Sequence, residues 1–372
     1  MQIRWLTLFV VFTLMAPISV QGIQPFVPET VSFCDEPVPL NISDVRERLI
    51  TQLMIFAERN VQMTLWHMRK DRFFPVIERI LMARGAPDDL KYVCVIESSL
   101  ITRARSARNA FGPWQFLAAT ARETGLDVTD EIDERLHLEK ATHAAVDYLE
   151  AMKVDFGSWT TALAGYNAGP ERVKNEIYRQ GTSSYYELVL PDETERYVFN
   201  ALAVKLIFEN PSVYGYDFSG LTAFSDIPCE TIDITIDNFV PVKILAYSAN
   251  MQFRDFNAVN PWINGVNLHR GRYSICVSPS GKARFLSRLD TYFRQLNGYI
   301  PFSSGMKKTV SAEHGSMRLG PGMEYPVFRT LRTNDEFRVS GRTGSKDRGH
   351  FWYIFKTSNG AAGWIWGGEV TP

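Results

Sequence analysis

Glu97 is the residue of this chain whose type and setting best suit acid–base chemistry. It closes the apolar run "YVCVI" within "PDDLKYVCVIESSL", whose spacing predicts a helix. On that helix Leu90, Val93, Cys94 and Glu97 fall at i, i+3, i+4 and i+7, a single face that should meet the core. A carboxylate there loses water, and desolvation favours the neutral acid. A carboxyl group still protonated near neutral pH can give its proton to a leaving group. The bland alternative is a helix-end glutamate that turns out to solvent.

Three later segments offer partners for such an acid. "SARNAFGPWQF" is broken by Gly112 and Pro113, and Asn109 tolerates positive φ, so it reads as an ordered loop leaving the end of the Glu97 helix. It presents the Ser106 hydroxyl, the Gln115 amide and Trp114 as an apolar plate. Sugars suit such groups, because amides bond their hydroxyls and aromatic faces pack their C–H faces. "AGYNAGP" adds Tyr166 and Asn167 near a helix end, and "LPDETERYV" adds Glu193, Thr194 and Tyr197. Each of these groups, taken singly, has a structural reading as well; Tyr197 alone would be a core tyrosine.

The elements that must position these groups are helical from about Val45 to Asn210. "DVRERLITQLMIFAERN" spaces Val45, Leu49 and Leu53 by four, with Asp44 as the expected cap. "FFPVIERILMARGAP" is expected to start near Pro75 and stop at Gly85. The Glu97 helix should carry acids in its first turn, which suits the helix dipole. "EKATHAAVDYLEAM", "WTTALAGYNAG", "PERVKNEIYRQ" and "ETERYVFNALAVKLIFEN" complete an all-helical core.

The order "ES", "GxWQF", "GYNAGP", "LPxETxxYV" resembles the lytic transglycosylases of the goose-type-lysozyme-like superfamily, in particular the membrane-bound lytic murein transglycosylase D group, over roughly residues 40 to 210. The resemblance implies a lysozyme-like all-α domain that cuts the β-1,4 bond between N-acetylmuramic acid and N-acetylglucosamine in peptidoglycan glycan strands, without a cofactor. It implies that Glu97 is the single catalytic acid and that Tyr197 holds a hydroxyl near it. It implies substrate-binding roles for Ser98, Ser106, Gly112, Trp114, Gln115, Tyr166 and Asn167, and a structural role for Glu193. Asn109, Pro113, Ala118, His137 and Gly165 depart from the family pattern; none is an assigned catalytic group, and Pro113 could reshape the cleft loop. A hydrolytic muramidase on the same fold and a wall-binding scaffold with a dead catalytic domain are the rival readings.

From about Leu221 to Gly298 the pattern changes. "ETIDITID" alternates as a half-buried strand does, "PVKILAYSANM" and "FRDFNAVNP" read as helices, "RYSICVS" as a strand and "KARFLSRLDTYFRQLN" as a polar helix. This β-α-α-β order loosely resembles a LysM-type glycan-binding module; a plain spacer is the alternative. Short alternating runs then follow, with "SNG" as a hairpin turn, and predict a small all-β domain. "MRLGPGMEYPVFRTL" followed by "AGWIW" resembles bacterial SH3 domains, which implies wall-peptide binding through Tyr325, Trp352, Trp364 and Trp366, with at least two of these in the core. The expected organisation is residues 1–22 a signal peptide, 23–218 the helical domain, 219–300 the α/β domain and 301–372 the SH3-like domain.

Residues 1–22 have Arg4, an apolar stretch interrupted by Pro17 and small residues near Gly22, the layout of a cleaved secretory signal. The mature chain is expected to be soluble in the periplasm, and Cys34 lies too far along for a lipid anchor. With export, four cysteines suggest disulfides. Locality favours Cys34–Cys94 and Cys229–Cys276, although three connectivities are open. Scattered histidines without HExxH argue against a metal site. Forty basic against 41 acidic residues leave a net charge of −1, without the basic excess of a nucleic-acid binder.

Overall fold

The structure, a computed structural model, describes residues 26–296, 298–356 and 362–371. The expected signal peptide and the "SNG" turn lie outside the described residues. The helical region opens with a two-stranded ribbon, β1 (Ser32–Phe33) and β2 (Glu36–Pro37), followed by α1 (Ser43–Ala57), α2 (Asn60–Arg84), α3 (Leu90–Ser98), α4 (Ala118–Glu123), α5 (Leu138–Phe156), α6 (Trp159–Ala168), α7 (Pro170–Gln180) and α8 (Asp192–Glu209). Helix α8 is buried on several sides, with Tyr197, Val198, Phe199, Leu202 and Ile207 all inside, as expected of a helix that α1, α3 and α6 surround.

Three local expectations need correction. Pro75 does not start its helix but sits inside α2, which begins at Asn60. Proline removes one intrahelical hydrogen bond, and the burial of Phe73, Phe74, Ile77 and Leu81 outweighs that loss. The helix does stop at Gly85, in the left-handed conformation. Asp44 makes no cap; it lies in the first turn of α1 and pairs with Arg48. The first turn of α3 holds no acid: Asp89 stands at its N-cap and is engaged by the Cys34 N–H at 2.8 Å and Lys205 at 2.8 Å.

The second region contains β3 (Glu230–Pro241), α9 (Val242–Ser248), α10 (Phe253–Val259), β4 (Asn267–Val277) and α11 (Lys282–Leu296). Strands β3 and β4 pair antiparallel, with Ile232 opposite Ile275 and Ile234 opposite Tyr273. Ile232, Ile234 and Ile236 are buried while Asp233 and Thr235 are exposed, the alternation legible in the sequence. Cys229 and Cys276 form a disulfide across this pair. The other expected bridge is absent: Cys34 and Cys94 are buried free thiols. Cys34 lies beside Asp89 at the start of α3, while Cys94 is about 7 Å further along that helix and directs its sulfur to the Pro113 carbonyl.

The last region is a seven-stranded antiparallel sheet of β5 (Ile300–Val310), β6 (His314–Arg318), β7 (Val327–Arg332), β8 (Glu336–Arg342), β9 (Trp352–Lys356), β10 (Ala362–Trp366) and β11 (Val370–Thr371), in the order β11-β5-β8-β9-β10-β6-β7. Its period of two sorts the aromatics. Trp352, Ile354 and Trp364 face the second region and join Phe285, Leu289 and Tyr292 of α11 in one core. Phe355 and Ile365, one residue on, face the other side with Val310 and Val339. Tyr325, Trp352 and Trp364 are therefore packed core residues and not surface binders, while Trp366 is only partly buried.

Candidate active site

Helix α3 ends at Ser98, where Ser99 and Leu100 adopt positive φ and turn the chain sharply. Arg69 donates to the Ser99 carbonyl at 2.9 Å, placing a cation at the helix C-terminus. Glu97 thus stands on the last turn, on the stripe with Leu90, Val93 and Cys94, all three fully buried. Its own side chain is half-buried, enclosed by protein yet open to solvent on one side.

The Tyr197 hydroxyl donates to Glu97 Oε1. Burial pushes the Glu97 carboxyl up to about 7; the Tyr197 hydrogen bond pulls it down, and the charge of Glu193, exposed at the start of α8, pushes it up. Burial and the nearby Glu97 charge hold the Tyr197 phenol well above its ordinary value, so it stays a hydrogen-bond donor. Tyr166 feels the same two effects in the same direction.

The backbone that fixes Tyr197 is itself pinned. Tyr185 donates to the Thr194 and Glu195 carbonyls at 2.9 and 2.6 Å, and Glu195 accepts from the Leu190 N–H at 2.9 Å. Thr194 donates to Asn167 Oδ1 at 2.8 Å, tying the end of α6 to the start of α8. Asn167 therefore spends one acceptor on scaffold.

The loop after α3 is ordered as its composition suggested. Gly112 N–H donates to the Ala104 carbonyl and Phe111 N–H to that of Phe116, each at 3.0 Å. Ser106 Oγ accepts from the Ala110 N–H at 3.1 Å and so shapes the turn. Gln115 has φ 51° and folds its amide NH₂ back onto the Gly112 and Ala104 carbonyls at 2.7 and 3.1 Å. Gly112 has φ 86°, and a Cβ there would collide with the Arg135 carbonyl.

Two expected substrate-binding side chains belong to the interior. Trp114 is fully buried, and its indole N–H donates to Thr142 Oγ1 at 2.9 Å, so it cannot plate a sugar. Its carbonyl instead accepts from the Tyr166 hydroxyl at 2.6 Å. Ser98 is buried and donates to the Cys94 carbonyl one turn back. Both sit on the core side of their elements, where a hydroxyl or indole N–H must find a protein partner.

The sequence reading missed the support under the loop. Buried Arg135 grips Asp133 with two hydrogen bonds, Nε to Oδ1 at 2.8 Å and Nη2 to Oδ2 at 2.7 Å. Its Nη1 donates to the carbonyls of Asn109 and Phe116, at 3.4 and 3.2 Å. The i, i+2 spacing in "DER" was visible, but nothing local says that such a pair is buried. Another missed residue is Glu36, which accepts from the Trp159 and Thr160 N–H groups at the N-terminus of α6. Among the described residues no cluster of His, Cys, Asp and Glu could hold a metal ion.

Comparison with known proteins assigns a class to part of this region: residues 74–189, which include Glu97 and the loop after α3 but not Tyr197, match the Transglycosylase SLT domain family. The helical region thus holds an SLT transglycosylase domain, and a separate sheet-rich region follows it. Among individual proteins, the chain is 34% identical over 137 residues to the membrane-bound lytic murein transglycosylase D of Escherichia coli strain K12, covering 36% of this chain and 30% of that protein. It is also 34% identical over 122 residues to the peptidoglycan transglycosylase of Escherichia phage T7, covering 32% of this chain and 9% of that one. The chain therefore spans less than a third of the length of either relative. The crystal structure of the 70 kDa soluble lytic transglycosylase from Escherichia coli aligns with a TM-score of 0.34 at 20% identity, over 46% of this chain and 32% of that one.

Proposed function

We propose that the protein is a lytic transglycosylase that cleaves the MurNAc-β-1,4-GlcNAc bond of peptidoglycan and leaves a 1,6-anhydromuramyl end. The observation that carries this reading is the pairing of Glu97, half-buried with its carboxyl pushed up to about 7, with the Tyr197 hydroxyl. A group titrating there is available both as acid and as base near neutrality.

In the first step protonated Glu97 gives its proton to the glycosidic oxygen, and the bond from that oxygen to the anomeric carbon breaks. The N-acetyl group of the muramic acid stabilises the positive charge that develops. Glu97, now a carboxylate, removes the proton of the C6 hydroxyl, whose oxygen bonds to the anomeric carbon. The acid is restored and no water is consumed. Most glycosidases use two carboxylates. Here Glu193 lies at the solvent side and only biases Glu97 electrostatically. The Tyr197 hydroxyl holds Glu97 in one orientation and stabilises its ionised form between the two steps. Tyr166, Asn167, Ser106 and Gln115 line the glycan-binding side of the site.

The test is digestion of purified sacculi by the wild type and by Glu97→Gln, with mass spectrometry of the fragments. We expect anhydro ends from the wild type and a folded but inactive variant. Normal turnover by the variant rejects the assignment of Glu97. Fragments heavier by one water would favour the hydrolytic muramidase reading.

In the same reading residues 1–22 direct export, residues 219–300 form a LysM-like module and residues 301–372 an SH3-like one. No described helix is long and apolar enough to cross a membrane. A cavity of about 320 Å³ whose lining includes Glu324, Lys346, Asp347 and Arg348 carries both signs of charge, which suits a wall peptide.

A further inference from the structure

Besides the linker at Phe224–Asp226, which is bonded to Met68 and Arg72 of α2, the β-α-α-β region meets the helical domain where the chain leads to the site. The segment 128–137 is paired with the turn after α10. Asp133 N–H donates to the Trp262 carbonyl at 2.8 Å, and the Asn264 and Gly265 N–H groups donate to the Glu131 carbonyl at 2.8 and 3.0 Å. Ile132 and Ile263 form an antiparallel bridge. Leu136 is fully buried in the core of the second region, with Phe111 and Ile132 packed against it. Arg103, six residues past Glu97, reaches Asn257 Oδ1 and the Pro261 carbonyl, both at 2.9 Å.

The same segment holds Arg135. Its guanidinium is locked on Asp133, the residue whose N–H is bonded to Trp262, and reaches the carbonyls at both ends of the stretch 109–116. That stretch carries Gln115, as well as the Trp114 carbonyl that anchors Tyr166. A continuous path of hydrogen bonds thus runs from the turn at Trp262 through Asp133 and Arg135 to the loop beside Glu97.

We propose that the β-α-α-β region is a working part of the catalytic site, docked on segment 128–137 so that Arg135 holds the loop 104–116 in its substrate-binding shape. Arg135 is a positioning residue, and Arg103 is a clamp between the two regions. This rests on the transglycosylase reading only for its kinetic half. A region serving solely as a spacer or glycan anchor would need no backbone pairing with the segment that braces the cleft loop.

The experiment uses the full chain with Arg103→Ala, Arg135→Gln and, as control, Glu97→Gln. Amide hydrogen exchange is followed at Phe111, Gly112 and Gln115, and KM and kcat on sacculi are measured separately. Loss of the Arg135 contacts is expected to speed exchange in 104–116 by about tenfold or more while α3, α5 and α8 keep their protection. Arg103→Ala, whose side chain is exposed, should do the same to a smaller degree and raise KM about threefold or more with kcat little changed. Glu97→Gln should abolish turnover and leave loop exchange as in the wild type. Unchanged loop exchange in both arginine variants overturns the proposal, as does acceleration spread evenly over all helices. A Glu97→Gln variant that still turns over sinks the transglycosylase reading instead and leaves the exchange result to stand by itself.

Discussion

Glu97 is held between opposing influences: enclosure raises its proton affinity, and one phenolic hydrogen bond lowers it. Removing the hydrogen bond should therefore raise it. Tyr197→Phe is expected to move the alkaline limb of the pH–rate profile to higher pH and to lower kcat, because the carboxylate form is no longer stabilised; a limb that stays in place or moves down contradicts the geometry. Stability follows the same group. The folded state holds the Glu97 proton up to about 7, whereas an unfolded glutamate releases it near 4.3. Any stability tied to that proton is complete at acid pH and is lost as pH rises through that window, by roughly 3–4 kcal/mol. Glu97→Gln carries no such proton, so relative to wild type it should gain stability between pH 4 and pH 8 in urea denaturation.

At the scale of elements, helix ends do much of the positioning. Glu36, from the ribbon ahead of α1, caps α6 from 123 residues away in sequence. Glu36→Ala should cost about 1–2 kcal/mol, read as a lower melting temperature with turnover retained below the transition. Gly112 has a stricter requirement, because positive φ and the nearby Arg135 carbonyl both exclude a side chain. Gly112→Ala should destabilise by roughly 1–3 kcal/mol and impair substrate binding, checked by calorimetry beside KM. Thr142 is the acceptor for the buried Trp114 indole. Thr142→Val keeps the volume and strands that N–H, for a loss of about 1–3 kcal/mol.

Across the whole molecule, the sheet-rich part behaves as one body. Trp352, Ile354 and Trp364 of the last sheet complete the core beneath α9 and α11. Residues 230–371 should therefore unfold in one transition, distinct from that of the helical region. The Cys229–Cys276 bridge closes a loop with a sequence separation of 47. Its loss restores chain entropy worth about 4 kcal/mol in the loop-closure picture. Reduction by dithiothreitol should lower the sheet-rich transition and leave the helical one nearly in place; equal shifts in both would mean that the two regions unfold together.

The helices, the alternating strands and the place of Glu97 on a core-facing stripe were legible in the sequence, because periodicities of 3.6 and 2 report directly which side chains face inward. Locality favoured the Cys229–Cys276 pair, which forms, and equally Cys34–Cys94, which does not, so spacing alone did not decide the bridges. Other features were decided only by tertiary structure. Cys34 and Cys94 stay apart because the Cys34 backbone is tied to Asp89 at the start of α3, while the Cys94 thiol further along that helix bonds the Pro113 carbonyl. Trp114 turned inward because its indole N–H finds Thr142 on α5. Pro75 was tolerated because its flanks are buried. Arg135 acquired its hold on the loop from partners 19 to 26 residues away. Hydrogen-bond partners of buried polar groups come from distant parts of the chain, and no local pattern carries that information.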